Sequence, residues 1–282
     1  MPDLRVEAPR PQAPIGPEPF HLWTLPDGTA WLQFHRTGAE YVLRFPGLAD
    51  FAVGAADLAV RCVPCPGVGE RVVQHLYLNQ VLPLVRSRQG RMVFHGSAVE
   101  AGSGAVVFMG ASGRGKSTLA ASFVAGGFRF MADDGISLSA SRDGLQVEPG
   151  HPSIRLWADS RATLMGPEHA PEPALPYTEK ACYLASDETR FCAQPRDLRR
   201  IYFLSDERSD AVTIQAITPA DALIELVRHS FLLDIRAPDM LAAHFEGLVR
   251  LVRSGTCFRL DYPRRFDAIP AIRAAIIRHC GN

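Results

Sequence analysis

The chain reads as an α/β domain preceded by a small β-rich unit, and three observations point there. An unbroken apolar run, Ala105–Met109, is followed at once by a glycine-rich turn and then by a helical stretch, Thr118–Val124. Strand-like and helix-like periods alternate along the remaining two thirds of the sequence. Residues 20–63 instead show short aromatic and β-branched runs broken by turns such as Pro26-Asp27-Gly28.

Taken in order, residues 1–19 are rich in proline, have no apolar core of a secretory signal and are expected to be a disordered lead-in. Residues 20–88 are expected to form the small unit. Strands are predicted around Trp23–Leu25, Ala30–Phe34 and Tyr41–Phe45, followed by a helix over Arg71–Val85 that Pro83 kinks. Residues 89–282 form the main domain. It opens with a strand from Met92 to Glu100, a turn at Ala101–Gly104, and the apolar strand Ala105–Met109, whose lack of polar residues predicts burial on both faces. The helix after the glycine turn ends at Gly126-Gly127. A strand Phe128–Ala132 ends in Asp133-Asp134, and short strands are expected at Ile136–Ser139, Leu145–Glu148 and Ile154–Leu156. Helices over Ala220–Leu233 and Met240–Val252, a strand Cys257–Leu260 and a helix over Ala268–Ile277 complete the chain.

Composition narrows the class. With 30 basic and 30 acidic residues the net charge is zero, so neither nucleic acid nor an anionic membrane is expected as a partner. No apolar run reaches membrane-spanning length, and the six scattered cysteines suit reduced thiols; a cytoplasmic protein is expected. Cys62-Val63-Pro64-Cys65 lacks a second pair and is read as ordinary thiols near a turn.

The glycine turn carries chemistry. Gly110-Ala111-Ser112-Gly113-Arg114-Gly115-Lys116-Ser117-Thr118 fits the phosphate-cradling pattern G-x-x-x-x-G-K-[ST], the P-loop. Glycines let the backbone turn sharply, and N–H groups at the helix start converge on an anion. Lys116 would bridge the β- and γ-phosphates of ATP and Ser117 would ligate Mg²⁺. This lysine is one of two in the chain, against 28 arginines. Asp133 and Asp134 follow one helix later; successive residues of a strand face opposite ways, so one carboxylate serves the metal and the other the incoming nucleophile. His95, on the neighbouring strand, is either a phosphate-side residue or a structural histidine. Lys180 is read as a surface lysine or a second active-site cation, and Trp157 as a core residue.

These motifs, Phe94-His95-Gly96, the loop with Lys116-Ser117, and Met131-Ala132-Asp133-Asp134, resemble in order and spacing the catalytic domain of HPr kinase/phosphorylase. The resemblance covers roughly residues 92–160 and implies a mixed sheet. It places His95 near the transferred phosphate, makes Asp133 the general base, gives Asp134 to the metal and Arg155 to phosphate. There are departures: Thr118 stands where the kinases acting on HPr carry glutamate, and Leu156–Ser160 replaces a glycine-rich signature. The chain therefore looks like the divergent HPr-kinase-related group, some of whose members phosphorylate serines of peptides encoded beside them. The expected function is Mg-ATP-dependent transfer to a serine of a peptide or small protein, not HPr itself. A small-molecule kinase or PEP-carboxykinase-like enzyme, and a non-catalytic nucleotide-binding regulator, stand as alternatives. A homo-oligomer is left open.

Overall fold

The computed structural model describes residues 4–16, 18–142, 144–164, 175, 177–178, 180–184, 191–205 and 209–281. The chain divides into two compact units, Met1–Val85 and Arg86–Asn282.

The first unit is a six-stranded sheet. β1 (Leu4–Val6), β2 (His21–Thr24), β3 (Ala30–Thr37), β4 (Glu40–Phe45), β5 (Ala49–Gly54) and β6 (Val60–Pro64) lie in the order β1-β6-β5-β4-β3-β2. From β2 to β6 it is an antiparallel meander, and period-2 burial places Tyr41, Leu43, Phe45, Phe51 and Val53 on one face. The expected disordered lead-in is corrected here. Leu4–Val6 pairs in parallel with Val60–Cys62, and Gln12 donates to the Phe45 carbonyl and to Asp50. The free edge of β6 offers unpaired backbone groups, and the proline-rich segment satisfies them with the few N–H groups that it has.

The expected helix runs as α1 (Glu70–Leu76), one π turn (Tyr77–Val81) and α2 (Leu82–Arg88). The π turn falls just ahead of Pro83. Its widened hydrogen bond, Leu82 N–H to the Tyr77 carbonyl, absorbs the break that a proline imposes on the regular ladder.

The second unit is mixed α/β with mixed sheets. Its elements are β7 (Met92–Ala101), β8 (Gly104–Met109), α3 (Lys116–Ala125), β9 (Phe130–Ser141), β10 (Gly144–Glu148), β11 (Ser153–Leu156), α4 (Ala158–Leu164), β12 (Ala181–Leu184), β13 (Arg196–Leu204), β14 (Thr213–Ala216), α5 (Pro219–Arg228), α6 (Pro238–Arg253), β15 (Cys257–Asp261) and α7 (Ile269–Gly281). The main sheet has the order β10-β9-β7-β8-β13-β15-β14, with β8, β13 and β15 mutually parallel. β11 and β12 form a separate hairpin.

Both faces of the sheet are covered. Val106, Phe108, Tyr202 and Leu204 pack with Leu119 and Phe123 of α3 and Ile272 and Ile276 of α7. Their alternates Val107, Met109, Ile201 and Phe203 pack with Ala222 and Leu226 of α5 and Leu248 and Leu251 of α6. This double burial explains the unbroken apolar run of β8. None of the described helices is long and apolar enough to cross a membrane.

Two expectations about this unit change. Asp133 and Asp134 do not end a strand: β9 continues through them for twelve residues in all, paired with Ser97 and Gly96 of β7. The central strand β13 was not anticipated, although Ile201–Leu204 is an apolar run of the same kind as β8.

Candidate active site

The site is built where β8 stops. Its last residue, Met109, is followed by the turn 110–115, and α3 starts at Lys116. Gly110, Gly113 and Gly115 adopt φ of 151°, 81° and 89°, a region that favours glycine. At Gly115 space also forbids a side chain, since a Cβ would lie 2.7 Å from the Tyr262 hydroxyl. The turn is tied from behind. Tyr262 donates to the Arg114 carbonyl at 2.9 Å; Arg264 donates to the same carbonyl and, at 2.5 Å, to that of Ser205.

The Lys116 ammonium curls back over the turn and donates to the carbonyls of Gly110 (2.9 Å) and Ala111 (3.0 Å). Burial pushes its pKa down to about 8 against the opposing pull of Asp133 and Asp134.

The two aspartates meet this turn from β9. Asp133 Oδ1 accepts from Ser97 (2.5 Å) and Ser117 (3.0 Å), and its Oδ2 accepts from the Arg155 backbone N–H (3.1 Å). Burial first, then the charge of Asp134, raises the Asp133 carboxyl above its ordinary value. Asp134 sits in the left-handed region at φ 64°, a strained conformation for a residue with a side chain. Two contacts hold it: its Oδ2 lies 2.5 Å from Arg155 Nη2, and its carbonyl lies 3.1 Å from His95 Nδ1. Both aspartates touch Arg155, Asp133 at its backbone N–H and Asp134 at its guanidinium.

A carbonyl only accepts, so His95 Nδ1 carries the proton and Nε2 keeps its lone pair. Burial, then the Lys116 charge, pushes the His95 pKa down to about 4, so the ring is neutral at physiological pH. The next residue, Gly96, allows β7 to approach β8: a Cβ there would stand 2.8 Å from the Phe108 carbonyl.

These groups surround a cavity of about 210 Å³. Of the residues singled out in the sequence, His95, Gly113, Gly115, Lys116, Ser117, Thr118, Asp134 and Arg155 line it. Gly110, Ser112, Arg114 and Asp133 do not; Gly110 and Asp133 act through Lys116 and Ser117, and Arg114 supplies the carbonyl that Tyr262 and Arg264 grip. Thr118 stands 3.0 Å from the Ser160 hydroxyl. Trp157, expected in the core, is 43% exposed and lines the cavity together with Lys180. Apolar size alone is a poor guide at the end of a strand as short as β11.

Sequence reasoning missed Ser97, Tyr262 and Arg264. Ser97 had a signal: it lies two residues beyond His95 on one strand and so shares its face. Tyr262 and Arg264 had none, being some 150 residues away along the chain.

The donor set suits a hard cation that brings phosphate oxygens with it. Ser117 and Asp133 present adjacent oxygens, and among the described residues no cluster of three or more metal-ligating side chains could hold an ion unaided. Arg155 Nε, buried and without a hydrogen-bond partner among the described residues, is a spare donor beside the same cavity. Burial works against the Arg155 charge, but Asp134 and Asp133 outweigh it and the net shift is upward.

No protein-family model and no curated protein matches the chain. Among solved structures it is similar to the Hpr(Ser) kinase/phosphatase from Coxiella burnetii, at 10% identity and a TM-score of 0.35, over 66% of this chain and 95% of that one.

Proposed function

We propose that the protein is a Mg²⁺- and ATP-dependent kinase that transfers the γ-phosphate to a serine hydroxyl of a peptide or small protein. The observation that carries this reading is the meeting of a buried ammonium, a serine hydroxyl, two buried carboxylates and an arginine with an unsatisfied donor around one cavity at a helix start. In it the turn 110–115 is a P-loop. Backbone N–H groups of the turn and Lys116 hold the phosphates, and Ser117 with Asp133 holds Mg²⁺, which when bound neutralises phosphate charge.

The family resemblance makes Asp133 the base and gives Asp134 to the metal; we assign the two the other way round. Asp133 is occupied by Ser97, Ser117 and the Arg155 N–H and does not line the cavity, whereas Asp134 does. Asp134 takes the proton of the acceptor hydroxyl as its oxygen bonds to the γ-phosphorus. The bond from that phosphorus to the bridging oxygen breaks, and ADP leaves with its electron pair. His95 fixes the backbone that aims Asp134.

The test is incubation of the purified protein with γ-labelled ATP, Mg²⁺ and serine-containing peptides, followed by mass spectrometry. Phosphoserine that requires Mg²⁺ and Lys116 supports the reading. Tight ATP binding with no labelled product from any peptide, protein or small hydroxylic acceptor overturns it.

A further inference from the structure

The chain has two lysines, and the fold brings both to one cavity. Lys116 arrives with the glycine turn. Lys180 arrives with the hairpin of β11 and β12, in which Arg155 pairs with Cys182, so that Lys180 ends beside Trp157. Its ammonium sits 5.5 Å from the centre of the exposed Trp157 ring, and among the described residues it makes no ion pair. Its charge also reaches Lys116, where it adds to the effect of burial.

An ammonium on an exposed aromatic face gains less than one in charge-assisted contact with a phosphoryl oxygen inside a cavity. The ring is therefore a resting place that an anion empties. The side on which Lys180 enters matters as well. It shares its hairpin with Arg155, the partner of Asp134, whereas Tyr262 and Arg264 border the glycine turn from β15. In the kinase reading, where Asp134 takes the acceptor's proton, the hairpin wall is the one on the side of the group to be transferred.

We infer that Lys180 is a second phosphate ligand of the site, resting on Trp157 until nucleotide enters, and that it contacts the γ-phosphate and so favours ATP over ADP. This rests on the kinase reading above. A flexible point charge suits that task, because it can follow the phosphoryl group as it moves toward the acceptor.

The experiment compares ATP and ADP binding, with Mg²⁺, by calorimetry on the full chain and on Lys180→Met. The expected result is a loss of about 10- to 100-fold in ATP affinity with ADP affinity held within about twofold. Lys180→Arg, which keeps the charge, restores most of the ATP preference. Trp157 emission changes when ATP is added to the natural chain, and the change is absent in Trp157→Phe and in Lys180→Met. Equal effects on ATP and ADP, or no effect on either, overturn the inference while leaving the kinase reading standing. If the natural chain binds neither nucleotide, both fall.

Discussion

Charge is arranged in opposite ways on the sheet of the first unit and around the glycine turn of the second. In the first, Arg44 meets Asp50 through two hydrogen bonds of 2.8 and 2.7 Å, and Arg61 bridges Glu40 and Glu7. Each guanidinium faces a matching carboxylate, and Asp50 raises the Arg44 pKa. In the second unit, Lys116 is buried against carbonyls, Asp133 is buried beside another acid, and Asp134 is held in a strained backbone conformation. Charges paired to completion have nothing left to offer a ligand. The cluster around Lys116 keeps spare capacity, since Arg155 Nε is buried with no hydrogen-bond partner among the described residues.

The sharpest way to break this contrast is at the acids. Asp134→Asn should lower phosphoryl transfer by roughly 10²- to 10⁴-fold while ATP binding stays nearly intact, as steady-state rates and calorimetry would show. Asp133→Asn should instead raise the Mg²⁺ concentration needed for half-maximal rate. If Asp133→Asn abolishes transfer at saturating Mg²⁺ and Asp134→Asn does not, the assignment of the two roles is reversed.

Next in size is the turn. Gly115→Ala places a methyl against the Tyr262 hydroxyl in a left-handed conformation. Nucleotide affinity should fall about 10- to 100-fold, equivalent to ~1.4–2.8 kcal/mol. Gly69→Ala in the first unit meets nothing within 4 Å; at the N-cap of α1 it should cost up to about 1 kcal/mol of stability and leave nucleotide affinity unchanged. Equal effects of the two substitutions on nucleotide binding would remove the special status of the turn.

Arg44→Ala sharpens the comparison from the other side. It strands Asp50 at a partly exposed position, so it should cost about 1–3 kcal/mol in denaturant unfolding and leave nucleotide affinity unchanged.

The mildest effects are those of pH. Lys116 has its pKa lowered to about 8, so the free protein loses this cation above that pH, and nucleotide affinity should decline as pH rises from 8 to 10. For His95 the folded pKa, about 4, lies below the unfolded value near 6.5. The unfolded chain therefore binds the proton first, and the stability linked to a neutral His95 is lost as pH falls from about 6.5 toward 4. Melting curves of His95→Gln should be flatter over this window than those of the natural chain.

Much of the local structure was legible because its cause is local. The apolar run of β8 followed by Gly110–Lys116, the helix after it, and the helices and strand from Pro219 to Gly281 follow from periodicity and punctuation, although α5 stops at Arg228, short of the expected Leu233, where Ser230 bridges to Phe94 instead. β13 was not legible in the same way, because Arg196, Arg199 and Arg200 mask the apolar half of the strand. The lead-in was misjudged because proline content reports the absence of helix and core, not the presence of an unpaired neighbouring edge at β6.

By itself the sequence determined where a glycine turn would open a helix, with Lys116 and Ser117 at the helix start. Residue type and short-range spacing suffice for that, since backbone sterics and donor geometry act within a few residues. Only the tertiary structure decided how the acids divide their partners, that Asp134 turns left-handed, that Tyr262 and Arg264 brace the turn, and that Lys180 joins Lys116 at one cavity. Those facts depend on strand order and register, which long-range packing selects and no local pattern records.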